Sequence, residues 1–194
     1  MKRFVRQPGS KRLKSTVFVA AEGAVTEKEY LEILRNLGCD HLYFVPSSAG
    51  KSAPRQVLSR MKNKLKALSV RPDDEAWLLV DRDDWNPKDI QALFDWRNKD
   101  TLHRHVVVSN PCVEFWLLLH FENAGDATTA EICKNRLKKH WPSYDKHIPA
   151  GSLSEELIQA AVSRAKDLCD EKSWTEPGST TFHHLVHSLL DSRP

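Results

Sequence analysis

Thr16-Val-Phe-Val-Ala-Ala-Glu-Gly23 and Ala76-Trp-Leu-Leu-Val-Asp-Arg-Asp83 decide the fold. Each is a short apolar run that stops abruptly on acids. Runs without polar alternation fit strands buried on both faces, the kind found in parallel sheets. After the first run, Thr26 and Glu29 have capping-box spacing, and Tyr30, Ile33, Leu34 and Leu37 recur at helical intervals. The order is therefore strand, turn, helix.

The same alternation repeats outward from these two stretches. His41 to Val45 reads as a strand, and Val57, Leu58, Met61, Leu65 and Leu68 then mark one apolar helix face. Ala76 to Val80 is followed by a helix opening at Pro87, and His105 to Ser109 is the fourth strand. Beyond Pro111 the spacing turns helical over Cys112–Phe121, Thr128–Lys139, Leu153–Cys169 and Thr180–Leu190. Strands alternating with helices predict a four-stranded parallel sheet with right-handed crossovers, flanked by helices and followed by a helical C-terminal extension. The expected organisation is a basic segment over 1–14, an α/β core over 15–125 and a helical extension over 126–194 packed on that core.

Composition agrees with one packed domain. The chain has 194 residues, of which 40% are hydrophobic and 28% charged, which argues against a disordered tail. A net charge of +3 names no partner by itself. Local charge says more: the first fourteen residues carry six Lys and Arg and no acid, which suits phosphates but also an ordinary solvated terminus. Cys39, Cys112, Cys133 and Cys169 show no paired spacing and read as buried thiols. No apolar stretch is long enough for a signal or a membrane span, so the expectation is a cytoplasmic protein.

In an open parallel sheet, functional groups gather beyond the carboxyl ends of the strands. Glu22 closes the first strand, and Asp81 and Asp83 close the third. Placed together they repel one another and call for a divalent cation, and oxygen-only ligands suit Mg²⁺ or Mn²⁺. Asp84 either adds a ligand or caps the next helix. Glu114, one helical turn past the fourth strand, either completes the metal site or fixes the Asn110-Pro111 turn by hydrogen bonds to backbone amides.

Basic residues supply candidates for phosphate contact: Lys51 and Arg55 in and after the second loop, and Lys134, Lys138, Lys139 and Lys146 in a zone interleaved with Trp141 and Tyr144. Ser47 to Ser52 lacks the leading glycine of a phosphate loop, so ATP binding there is rejected. His183 and His187 lie one helical turn apart but without the acid of a metalloprotease motif, and read as ordinary helix residues. Trp77 and Trp116 read as core.

The strand–Glu22-Gly23–helix and strand–Asp81-Arg82-Asp83 pattern resembles the Toprim domain shared by topoisomerases, primases and OLD-type nucleases. Glu22-Gly-Ala-Val-Thr-Glu-Lys-Glu-Tyr30 with Ser109-Asn-Pro-Cys-Val-Glu-Phe-Trp-Leu-Leu-Leu-His-Phe121 resembles the RloB family more specifically. The resemblance implies a Mg²⁺-dependent nuclease acting on DNA or RNA, often encoded beside an ABC- or AAA-type ATPase in bacterial defence loci. It implies that Glu22 is a metal ligand or proton-transfer group and that Asp81 and Asp83 bind metal. Two other readings compete: a non-cleaving nucleic-acid-binding or ATPase-regulating subunit, against which the intact Glu22, Asp81 and Asp83 argue, and a nucleotide-sugar transferase, for which the chain is short and offers no donor domain.

Overall fold

In the computed structural model, the described residues are 15–47, 53–82, 85–99, 102–168 and 173–193. Strands β1 (Val17–Ala21), β2 (Leu42–Phe44), β3 (Glu75–Asp81) and β4 (His103–Asn110) pair in parallel in the order β2-β1-β3-β4. Helices α1 (Thr26–Asn36), α2 (Pro54–Ala67) and α3 (Pro87–Arg97) form the crossovers. The central strands are buried along nearly their whole length, which is why their sequences carry no polar alternation.

Alternate strand residues feed two cores. Val17, Val19, Trp77, Leu79 and Val107 face α1 and the helices that follow β4: α4 (Val113–Leu118), α5 (Ala130–His140), α6 (Glu155–Leu168) and α7 (Phe182–Asp191). Phe18, Ala20, Leu78, Val80 and Val108 face α2 and α3. The result is a helix–sheet–helix sandwich. On the first face, Trp116 and Phe182 stack with centroids 5.1 Å apart, and Tyr30 meets both edge-on. Trp77 and Trp116 are core, as expected.

The sheet differs from the expectation by a fifth strand. Ser179–Thr180, β5, pairs antiparallel with Ser109 and Asn110. Two residues are too few for any periodicity, so the sequence reads Thr180 as the start of the last helix and Ser179 as linker. Thr180 is held in extended form by its side chain: its hydroxyl pairs with Ser109 Oγ at 2.9 Å and also accepts from Phe182 N. A 3₁₀ turn over Ser173–Thr175 precedes it.

Local caps differ too. Thr26 and Glu29 form no capping box: Val25 is the N-cap of α1, and Glu29 instead accepts from His147 Nδ1 at 2.7 Å and Ile148 N at 2.8 Å. A contact across the fold has displaced a local one. At α3 the cap is Asn86, whose side chain accepts from Lys88 N. Asp84, expected either to add a metal ligand or to cap this helix, lies outside the described residues. Cys39, Cys112 and Cys133 are buried free thiols, as expected; Cys169 lies outside the described residues. Among the described residues no helix is long and apolar enough to cross a membrane.

Candidate functional site at the carboxyl end of the sheet

Because β1 and β3 are neighbours, Glu22 and Asp81 leave the sheet side by side. Glu22 N donates to Leu79 O at 2.9 Å, which extends the ladder one residue past β1. The Glu22 carboxylate then reaches across to β3, its Oε2 accepting from Asp81 N at 3.2 Å and its Oε1 from Trp85 Nε1 at 3.0 Å. Trp85 thus orients Glu22, a role no spacing signals, since a tryptophan two residues before a helix reads as packing. Arg60 of α2 donates to the carbonyl of Ala21 and brings a cation to the residue preceding Glu22.

A cleft of about 350 Å³ opens here, lined by Glu22, Glu27, Asp81, Glu114, Lys134 and Lys146 among others. Four carboxylates from four segments share it. Glu114, at the start of α4, is buried and lies 3.4 Å from the Tyr144 hydroxyl, which donates to it, and 3.9 Å from Lys134 Nζ. It makes this cross-fold bond in place of the turn-fixing bonds to backbone amides that were its alternative. Lys146 stands on a loop whose carbonyl accepts from Thr26 Oγ1 at 2.7 Å.

Glu27 is the residue that sequence reasoning missed. Placed in the first turn of α1, its carboxylate turns back over the loop and accepts from Gly23 N at 2.9 Å. A Cβ at Gly23 would collide with that carboxylate in its present position, so Glu27 would have to move to admit one. Its signal in the chain is a glycine four residues before an acid at a helix start, which the capping-box spacing of Thr26 and Glu29 masks.

Burial pushes the Glu27 carboxyl above its ordinary value, with the Glu114 charge adding to the rise, while the Gly23 amide and Lys146 oppose it. The Tyr144 phenol is pushed up by burial and then by Glu114. The Cys112 thiol is pushed up by its hydrogen bond to Cys133, by burial and by the Glu114 and Asp81 charges. Cys112 and Tyr144 are therefore neutral at physiological pH, and the negative charge of the cleft resides on its carboxylates.

Of the expected site residues, Glu22, Asp81 and Glu114 come together with Lys134 and Lys146. Asp83, Asp84 and Lys51 lie outside the described residues. Arg55 is ion-paired with Asp89, so it is engaged within the protein. Lys138 and Lys139 are exposed on α5 but do not line the cleft. Trp141 and Tyr144 are buried at 5% and 4% exposure, which removes them as stacking platforms for bases. His183 bonds to the Thr180 carbonyl and His187 to Asp191, both ordinary helix roles.

Among the described residues no three acids, histidines or cysteines form a ready cage for an ion. The donor chemistry nevertheless fits a hard divalent cation: the cleft offers carboxylate oxygens, and Glu22 is oriented by two N–H donors as metal-binding carboxylates commonly are. Glu22 and Asp81 are the pair best placed to hold one, with Glu114 beside them.

Fold and cleft together define an α/β protein with an acid-lined site at the carboxyl end of a mostly parallel sheet. The model of the RloB-like protein family matches residues 17–189, and the chain belongs to that family. No curated protein and no solved structure matches the chain.

Proposed function

We propose that the cleft is a divalent-metal-dependent phosphodiesterase site acting on DNA or RNA, built on a Toprim-like arrangement. The observation that carries this reading is the convergence of Glu22, Asp81, Glu114 and Glu27 on one cleft flanked by two lysines. Such a charge density is unfavourable unless a cation offsets it, and the same cation can be shared with a phosphate.

Glu22 and Asp81 would hold Mg²⁺ or Mn²⁺, with Asp83 next in the chain. When bound, the ion supplies a Lewis acid for the phosphoryl oxygens and lowers the pKa of bound water. The chain's own residues do the rest. Lys134 and Lys146 attract the nucleic-acid backbone, Trp85 fixes the Glu22 carboxylate, and Glu27, whose carboxyl burial raises above its ordinary value, stands at the cleft wall as a candidate proton-transfer group. An anti-phage setting and an ATPase partner belong to the proposal through the family resemblance.

The test compares wild type with Glu22→Gln and Asp81→Asn. Thermal unfolding is followed in chelator and then in Mg²⁺ or Mn²⁺, beside cleavage of plasmid, single-stranded DNA and tRNA. Metal should raise the wild-type melting temperature and permit cleavage, and the variants should lose both while remaining as stable without metal. Variants that melt early yet still respond to metal and cut would sink the assignment. A wild type that binds nucleic acid but never cuts would make this a non-cleaving binding or ATPase-regulating subunit.

A further inference from the structure

A second cavity, of about 620 Å³, lies at the amino ends of β3 and β4. It is separated from Asp81 by the length of β3, roughly 20 Å at about 3.3 Å per residue. Its volume falls in the range of small-ligand sites, roughly 300–1,000 Å³. The cleavage chemistry proposed above makes no use of it.

Aromatic rings from four segments line this cavity. Trp77 of β3 and His105 of β4 stack with centroids 4.0 Å apart and planes 16° from parallel. Phe94 of α3 and Trp174 of the 3₁₀ turn stack at 5.4 Å and 26°. Trp77 is buried and backs the wall, whereas Phe94 and Trp174 are half-buried and line the cavity as a stacked pair. Burial holds the His105 imidazole below its ordinary value, so at neutral pH it contributes a flat uncharged ring.

The charges in the wall are divided unevenly. The acids are engaged within the protein: Glu75 accepts from Trp77 Nε1 at 2.7 Å and Ser188 Oγ at 3.3 Å, and Asp73 lies 3.8 Å from Arg71. Arg97 and Lys166 line the same cavity, and among the described residues neither forms an ion pair with a carboxylate. A half-buried guanidinium without an anionic partner is completed by an anion, and phosphate matches its fork of donors.

We propose that this cavity binds a nucleotide unit, with a base against the Phe94–Trp174 ring pair and a phosphate on Arg97 and Lys166. Base stacking on aromatic faces tolerates any base, so the recognition is of the class and not of one sequence. Two sources share this chemistry: a free nucleotide, and the terminal nucleotide of a single strand. The inference is independent of the cleavage proposal, because its residues lie at the other end of the sheet.

The experiment titrates the full-length protein, in chelator, with 5′-AMP, ATP, adenosine, inorganic phosphate and a 5′-phosphorylated trinucleotide. AMP should bind, with adenosine and inorganic phosphate each at least about tenfold weaker, since each supplies half of the contacts. Arg97→Gln and Trp174→Ala should each weaken AMP binding by about tenfold or more, and Glu22→Gln should leave it unchanged. Phe94→Leu, a smaller change, provides a second probe of the ring pair if Trp174→Ala unfolds the turn. A trinucleotide that binds more tightly than AMP and is equally sensitive to Arg97→Gln identifies a strand end as the source; the reverse order identifies a free nucleotide. Failure of every probe to bind at millimolar concentration overturns the inference. So does AMP binding that survives both Arg97→Gln and Phe94→Leu, or that is lost in Glu22→Gln.

Discussion

Gly23 donates its backbone N–H to the carboxylate of Glu27 at 2.9 Å, and that carboxylate occupies the space a side chain on residue 23 would need. The loop leaving β1 and the first turn of α1 are therefore fitted to each other. Gly23→Ala should cost about 1–3 kcal/mol, as an overpacked buried contact does. In a Glu27→Ala background the same change should cost less, with a coupling of about 0.5 kcal/mol or more by double-mutant cycle. Additive losses in chemical denaturation would show that the two residues are not in this relationship.

Lys146 has a backbone φ of +88°, a left-handed conformation that side chains with a Cβ resist. Lys146→Gly should thus be more stable than Lys146→Ala by roughly 1 kcal/mol, although both lose the same cation. Melting curves of the two variants check this. Equal stabilities would mean that the loop relaxes out of this conformation at no cost.

His120 is fully buried on the first core face. Its Nδ1 lies 3.1 Å from the carbonyls of Trp116 and Leu117, so that nitrogen carries the proton, and Nε2 accepts from the Tyr30 hydroxyl at 3.0 Å. Burial pushes the imidazole from 6.5 down to about 4. In that interval the unfolded chain binds a proton that the folded protein refuses, so stability falls as pH drops from about 6.5 toward 4. The loss attributable to one such group is up to roughly 3 kcal/mol, and His183, pushed to about 4 mainly by burial, acts in the same window. Urea unfolding across this range should show a flatter pH dependence for His120→Gln than for wild type. An unchanged slope would locate the acid sensitivity elsewhere.

Lys134 and Lys146 line the acid cleft, whereas Lys138 and Lys139 do not. With nucleic-acid binding followed in chelator at several salt concentrations, Lys134→Gln and Lys146→Gln should each reduce the salt slope by about one. Lys138→Gln and Lys139→Gln should have smaller effects. Should the α5 pair dominate, the backbone runs over α5 and not into the cleft.

The sequence made β1, β3 and β4 readable for a physical reason: strands buried on both faces have no polar positions, and acids appear only where they emerge. From that followed the adjacency of Glu22 and Asp81. Contacts spanning many residues were not readable. Glu29 is taken by His147 and Ile148, and Trp85 is taken by Glu22, through separations that local spacing cannot encode. Trp141 and Tyr144 look amphipathic in the chain because lysines surround them, yet the packing of α4 against α5 buries both rings. β5 is not legible in the chain because two residues carry no periodicity and its extended form is set by bonds to β4, some seventy residues away.

The loop bearing Lys146 is fastened to the beginning of α1 at three points, through Thr26, His147 and Ile148. The same helical turn carries Glu27 and is joined to Glu22 by the short loop 23–25. One cation of the cleft, Lys146, and one of its acids, Glu27, are consequently mounted on one bracket. If the cleft takes a nucleic-acid strand as proposed, cutting the Thr26 and Glu29 bonds should disturb the position of Lys146 without removing its charge.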